Sequence, residues 1–328
     1  MAHLLEQMFS VKETPWHGLG RIVQEAPNAE EAIKLAGLDW KVEEHALFRQ
    51  PQPGQLTQVS SHKALLRSDT GNQLGIVGTG YHPLQNDKAF SFFDPFVAAG
   101  EASFETAGSL RDGKTVWILA KLNRAPIEVG KGDEVMKYLL LSNGHDGMMA
   151  VRTGFTPIRV VCANTLAMSH AKGQSKLIRF THSSQVNKRL DQIREIVTAA
   201  DAKFEATAEQ YRALAKSDVK MKDLEAYVSI IFPLHHIEDA DRREFARQKA
   251  VQNIQRLFET GFGADLKSHK GTAWGLYNAV TQHLSYERGR ALEDKTQERS
   301  ARLNSLWFGD AATMNQKALD AALELAVA

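Results

Sequence analysis

The sequence predicts an α+β fold in which antiparallel hairpins and short helices precede an α-helical C-terminal module. Turn signals rich in Asp, Asn and Gly separate strand-like runs in the first half of the chain. Apolar residues at spacings of three and four dominate the second half. We therefore predict an α+β domain over residues 1–182 and a helical module over residues 183–328.

The first domain begins with a short helix. Asn28 is a favourable N-cap with Glu31 three residues later, which is a capping-box pattern, and Gly37 ends the helix. A strand up to Phe48 then leads into a proline-rich turn. A phenylalanine-rich helical segment capped by Asn86 is predicted further along. Three turn signals predict hairpins, at Asp69–Asn72, Arg111–Gly113 and Asn143–Gly147.

Another helix is predicted directly after the third hairpin. Thr156 suits the N-cap position, and Pro157 suits the first helical position, where its missing N–H costs nothing. Arg159 then falls in the first turn, beside backbone N–H groups that favour an anion.

Residues 184–215 predict one long helix. Its apolar side chains follow a heptad pattern, at Val186, Leu190, Ile193, Val197, Ala200, Phe204, Thr207, Tyr211 and Leu214. Two interpretations stay open: a helix that packs within its own domain, or a coiled-coil contact in an oligomer. Further helices are predicted at residues 221–232, 239–260 and 272–286, and from 296 to the end.

The overall composition restricts the class of protein. The 40 Lys and Arg nearly balance the 39 Asp and Glu, so the net charge provides no global attraction to nucleic acid. A single cysteine, Cys162, excludes an intramolecular disulfide and a multi-cysteine zinc site. No signal peptide or membrane span is recognisable. We expect a protein of the bacterial cytoplasm, with no membrane partner and no cofactor.

One segment departs from this balance of charge. Between Gly147 and Leu190 there is no Asp or Glu over 44 residues. Lys and Arg that neutralise phosphates provide sequence-independent affinity for nucleic acid. The alternative is a solvated surface whose counter-charges come from elsewhere in the fold. The candidate phosphate contacts are Arg152, Arg159, Lys172, Lys176, Arg179, Lys188 and Arg189.

Two aromatic residues are candidates for stacking on unpaired bases. Trp16 lies in the stretch TPWHGLGR, whose glycines would allow the backbone to approach a ligand closely. The alternative is a Trp that holds an N-terminal arm in the core. Phe155 lies inside the acid-free segment.

Catalysis and metal binding have weaker support. His17, His145 or the pair His235 and His236 would serve an enzyme that acts on a nucleotide or nucleic acid, and Asp239 could join the pair as a metal ligand. Turn polarity and helix capping explain His145 and Asp239 equally well. We therefore assign no catalytic residue and no metal ligand.

Four motifs carry a resemblance to a known family. They are TPWHGLG, VGTGYHPLQNDKAF, FTPIRVVCANTL and GTAWGLYNAVTQHL, spread over roughly residues 8 to 290. Together they resemble the phage/plasmid-like protein family, a domain of unknown function found on mobile elements. The resemblance implies a phage or plasmid origin and supplies no catalytic residue. The order of hairpins, helix and basic segment is also similar in architecture to phage single-strand annealing recombinases.

These observations lead to an expected function. We expect a phage or plasmid protein of DNA metabolism that binds single-stranded nucleic acid and anneals strands as a homo-oligomer. The alternatives are a nucleotide- or nucleic-acid-processing enzyme, and a protein-binding counter-defence factor that acts through the heptad helix.

Overall fold

The computed structural model describes residues 5–12, 19–159, 164–165, 177–198, 201–289 and 292–327. Within these ranges the strands, in chain order, are β1 Leu5–Val11, β2 Arg21–Val23, β3 Val42–Gln52, β4 Gln55–Arg67, β5 Gln73–Gly78, β6 Ala102–Leu110, β7 Thr115–Leu122, β8 Ile127–Gly130, β9 Asp133–Gly144, β10 Val151–Arg159, β11 Asn164–Thr165 and β12 Ile178–Phe180.

Ten α-helices are described in the same ranges, and a π-helical turn, His283–Glu287, follows the eighth. They are α1 Ala29–Leu35, α2 Asn86–Ser91, α3 Asp94–Ala98, α4 Val186–Thr198, α5 Asp201–Leu214, α6 Met221–Ile231, α7 Ala240–Thr260, α8 Ala273–Gln282, α9 Lys295–Phe308 and α10 Asp310–Val327. The predicted α+β class, with antiparallel sheets and C-terminal helices, is confirmed. None of the described helices combines the length and the apolar character that a membrane span requires.

The chain forms two compact units that alternate along the sequence. The first comprises residues 1–124, 138–155 and 177–199, and the second comprises residues 125–137, 156–176 and 200–328. Strands β9 and β10 therefore each begin in one unit and end in the other. These units are clusters of contacts and do not test where one domain ends and the next begins. The boundary between domains at residue 182 therefore stays a prediction.

The first unit contains two sheets. One is part of a larger sheet of order β11-β10-β9-β7-β6-β1-β2, in which β12 also pairs with β10 and β8 with β9, and the other is the antiparallel sheet β3-β4-β5. Its core is rich in aromatic side chains, including Phe90, Phe93 and Phe104, all of them almost fully buried. Phe104 packs against both of the other rings, with centroids 5.7 and 5.6 Å away. Helices α2 and α3 thereby bury their apolar face.

Local sequence signals specified several of these elements as predicted. Asn28 caps α1, and its side chain and that of Glu31 form both bonds of the capping box at 3.0 Å. The hairpins β4–β5 and β6–β7 turn where the sequence indicated. In the second of these hairpins Arg111 and Asp112 adopt positive φ angles of 56° and 58°, a conformation that Asp tolerates better than most residues.

Two local predictions were wrong. The segment Thr156–Arg159 is the end of strand β10, not the first turn of a helix, because Ile158 and Arg159 pair with β11. Pro157 lies in the interval of β10 that pairs with neither β11 nor β12, where its missing N–H breaks no bond to either strand. Asn86 is the first residue of α2 and not its cap, which is Gln85.

The second unit contains α5–α10 and is centred on α8, which is buried from Ala273 to Thr281. Thr272 caps α8, since its side chain accepts a hydrogen bond from the N–H of Gly275. The fully buried carboxylate of Asp133 accepts hydrogen bonds from Ser268 Oγ at 2.7 Å and from Trp274 Nε1 at 2.8 Å. These bonds connect the start of β9 to the loop before α8 and to α8 itself.

The predicted heptad helix is described in two parts, α4 and α5, and residues 199 and 200 lie outside the described residues. Val186 and Leu190 of α4 are buried, and α4 packs on β12 in the first unit. Tyr211 and Leu214 of α5 are buried in the second unit, where α5 packs on α8 and α10. For these residues the structure agrees with packing inside the chain, rather than with a coiled-coil seam.

We expect Leu190→Asp to reduce the free energy of unfolding by several kcal/mol, because it places an unpaired carboxylate in an apolar contact. Asn187→Asp adds the same charge at an exposed position of α4 and should leave stability nearly unchanged. Urea denaturation of both variants measures the difference. Equal stability of the two variants would contradict the packing of α4 described above.

Candidate functional site

Two of the predicted cationic residues are direct neighbours in the first unit. Strands β10 and β12 are antiparallel, and Arg152 is the cross-strand partner of Arg179. Directly opposed side chains on an antiparallel pair have Cβ atoms only about 5 Å apart, and like charges in this position repel each other. Arg152 and Arg179 therefore form a concentrated patch of positive charge, which we call the arginine pair.

The surroundings of the two guanidinium groups differ. Arg152 is half-buried, and burial, followed by the charge of Arg179, lowers its pKa. Arg179 is exposed, and no acidic side chain of the described chain forms an ion pair with it. Arg179 is thus the member of the arginine pair that is open to a solvent ion or an anionic ligand.

Helix α4 contributes two further predicted cations. Arg189 and Lys188 are both exposed, and no described acid forms an ion pair with either. At 100° per residue, Lys188 lies on the side of α4 opposite to the buried stripe of Val186 and Leu190, whereas Arg189 flanks that stripe. Because the helix packs on β12, Arg189 is the nearer of the two to the strand that carries Arg179.

The other predicted residues are placed differently or lie outside the described residues. Phe155 is half-buried, and strand alternation places it on the face of β10 opposite to Arg152. Arg159 lies in β10 rather than at a helix N-terminus, so the helix dipole invoked for it is absent. Trp16, Lys172 and Lys176 lie outside the described residues, as do His17 and Cys162.

A buried polar cluster surrounds His145, and no pattern in the sequence indicated it. This histidine was interpreted as a turn residue, but its side chain is fully buried. Its Nε2 lies 3.0 Å from Oδ1 of Asn86, whose Nδ2 donates to the carbonyl of Leu38 at 3.1 Å. Since Oδ1 of Asn86 must accept, Nε2 of His145 carries the proton. Nδ1 is then an acceptor, to which no described residue donates.

A second group of side chains surrounds the same loop. Tyr81 stacks on His182, with ring centroids 4.4 Å apart, and its hydroxyl donates to the carbonyl of Gly144 at 2.6 Å. Asp146 forms an ion pair with Arg111 at 3.1 Å. Neither ring nitrogen of His182 makes a well-aligned hydrogen bond within the described residues. The backbone at Gly75 lies close to the backbone at Asp146, since a Cβ on Gly75 would lie 2.8 Å from Cα of Asp146.

Both buried histidines are neutral at pH 7. Burial lowers the pKa of His145 to about 3, and the charges of Arg67 and of His182 in its protonated form act in the same direction. Burial also lowers the pKa of His182 to about 4, although the backbone carbonyls of His82 and Met149 and the charge of Asp146 act in the opposite direction. Because no face of His145 is open to solvent, the folded state offers a substrate no access to it.

His235 and His236 belong to no group of metal ligands among the described residues. The rings of His235 and His236 are 6.2 Å apart and nearly perpendicular. Asp239 caps α7, and its side chain accepts a hydrogen bond from the N–H of Arg242 at 2.7 Å. Throughout the described part of the chain, no three side chains of His, Cys, Asp and Glu are grouped as metal ligands.

We expect the protein to lose stability as the pH falls from 7 to 5. In the unfolded chain both histidines titrate near their ordinary pKa of 6.5, well above their values in the folded state. The unfolded state therefore takes up protons first, and the full stability is present only above about pH 6.5. For His145 alone the loss at pH 5 is about 2 kcal/mol.

Urea denaturation of the wild type and of His145→Gln at several pH values tests this expectation. The variant should be less stable at pH 7, and its stability should change less between pH 7 and 5. Parallel pH profiles would show that His145 is not the buried neutral group described above.

The fold and these sites define a class: an α+β chain of two interleaved units, with an arginine pair and a buried histidine cluster in the first. The chain belongs to the family described as Domain of unknown function (DUF932), whose model matches residues 73–307. This range includes three of the four motifs quoted above and both arginines of the pair. No curated protein and no solved structure matches the chain.

Proposed function

We propose that the chain binds single-stranded nucleic acid, with a backbone phosphate held at the arginine pair. The observation that carries this proposal is the direct cross-strand opposition of Arg152 and Arg179. Like charges that lie directly opposite each other on an antiparallel pair repel each other. A phosphate removes that repulsion and accepts charge-assisted hydrogen bonds from both guanidinium groups.

The neighbouring charges extend this interpretation along a strand of nucleic acid. Arg189 flanks the contact between α4 and β12 and would meet a second phosphate. The contacts would be made to the backbone and not to base edges, so we expect little sequence preference. Because each phosphate contact adds about 0.7 to the slope of log affinity against log salt, their small number implies modest affinity and a shallow salt dependence.

The choice of a single strand and of a mobile-element setting has a different basis. It rests on the likeness in architecture to annealing recombinases and on the resemblance to the phage/plasmid-like family, both of which are arguments by analogy. Annealing of complementary strands by an oligomer would be the activity of such a protein in a bacterial host cell. Binding to a DNA duplex is the competing outcome, and the anisotropy measurements described below detect it.

The two alternative functions have less support. An enzyme that uses His145 would need this side chain to reach a substrate, and it is fully buried. A protein-binding factor that acts through the heptad helix would need an exposed seam, whereas Val186, Leu190, Tyr211 and Leu214 are buried within their units.

Arg179→Ala should weaken binding to a single-stranded oligonucleotide by about 1–3 kcal/mol, the range for loss of a charged hydrogen bond. The slope of log affinity against log salt should become shallower by about 0.7, the value for one phosphate contact on a single strand. Fluorescence anisotropy at several salt concentrations measures both quantities, and a duplex of the same sequence tests strand preference.

Lys188→Ala is the matched control, since it removes one exposed positive charge on the outer side of α4. We expect a smaller loss of affinity and a smaller change in the salt slope than for Arg179→Ala. Equal effects would mean that general charge, and not the arginine pair, attracts the ligand. If the wild type binds neither single nor double strands at low salt, the proposed function is wrong.

A further inference from the structure

Strands β3 and β4 extend beyond the rest of their sheet as a two-stranded arm, residues 46–60. Strand β5 pairs with β4 only over residues 62–66. Within the described chain, the arm therefore has backbone pairing between β3 and β4 and no third strand. All residues of the arm are exposed except Leu47, Thr57 and Val59, which are half-buried. An isolated two-stranded hairpin is at best marginally stable in water. Because most side chains of the arm are exposed, packing against the described chain adds little to its stability.

The two faces of the arm differ. Leu47 is the cross-strand partner of Val59 on one face, and the two side chains shield each other in part. Phe48 is the partner of Gln58 on the other face, and strand alternation places Leu56 there as well. Phe48 is 58% exposed and Leu56 is 69% exposed. An aromatic and an aliphatic side chain therefore lie together on one face with nothing to cover them.

The chemistry of this face indicates what would cover it. From His45 to Ser68 the chain contains no Asp or Glu, and the one Lys or Arg of the arm, Arg49, alternates onto the face of Leu47. The face of Phe48 thus has no cation for a phosphate and no acid for a basic partner. Glutamine amides, which both donate and accept hydrogen bonds, supply its polar groups.

An uncharged surface of apolar and amide groups is complementary to itself. An identical copy brings no like charge, covers apolar area with apolar area, and offers a donor for each acceptor and an acceptor for each donor. We propose that the face of the arm that carries Phe48 and Leu56 docks against the same face of a second copy of the chain. This inference is independent of the proposed nucleic-acid binding.

The edge of the arm that β3 forms is poorly suited to the addition of a further strand. Pro51 lies in β3, which is the edge strand of its sheet, and it has no N–H to donate to an added strand. The pairing of β3 with β4 also shifts register between Arg49 and Gln52. Both features interrupt the regular ladder that a neighbouring strand would need.

Sedimentation velocity of the full chain over a wide range of concentration tests the docking. We expect the wild type to associate and the double variant Phe48→Ser/Leu56→Ser to remain monomeric with unchanged circular dichroism, since both side chains are exposed. Phe245→Ser is the matched control, because Phe245 is 68% exposed on α7 in the second unit. This control should associate like the wild type.

Oxidative cross-linking gives a second measurement that does not depend on removing the apolar residues. In a Cys162→Ser background, Gln58→Cys should form a disulfide-linked dimer more readily than Thr57→Cys, which lies on the opposite face. A monomeric wild type at every concentration, equal association of the double variant, or equal cross-linking from the two positions would each overturn the proposal. A double variant that keeps its mass but binds oligonucleotide more weakly would instead assign the face to nucleic acid.

Discussion

The side-chain amide of Asn86 joins three separate segments of the first unit. Its Nδ2 donates to the carbonyl of Leu38 at 3.1 Å and to the carbonyl of Trp40 at 3.4 Å. Its Oδ1 accepts a hydrogen bond from His145. Since a buried polar group without a partner costs about 1–3 kcal/mol, each segment holds the others in place. Two of these segments carry further contacts of the first unit: the guanidinium carbon of Arg67 lies 4.4 Å from the ring centroid of Trp40, and His145 is fully buried.

Elements specified by neighbouring residues could be predicted from the sequence. The capping box of α1 needs only Asn28 and Glu31, and the turn at Arg111–Gly113 needs only residues that accept a positive φ. The strand at Thr156–Arg159 could not be recognised in this way, because Thr-Pro also begins helices. The β-branched and aromatic residues around it favoured a strand, but its identity depends on pairing with β11, which no local pattern reveals.

The candidate site shows the same division between local and non-local information. The absence of acids around Arg152 and Arg179 was visible in the sequence, whereas the register that sets these two residues opposite each other was not. A shift of one residue in that register would send one guanidinium to the other face of the sheet. His145 was misjudged for a related reason: a polar residue after a strand resembles a turn residue unless its distant partner, Asn86, is known.

The alternation of the two units along the chain limits how the protein can be divided. A fragment that begins at residue 200 contains Ser268 and Trp274 but not Asp133, the carboxylate to which both donate. It would retain two buried donors without their acceptor. A fragment that ends at residue 199 would instead contain Asp133 without either donor. A truncation that is designed to isolate the C-terminal helices should therefore retain the segment around Asp133.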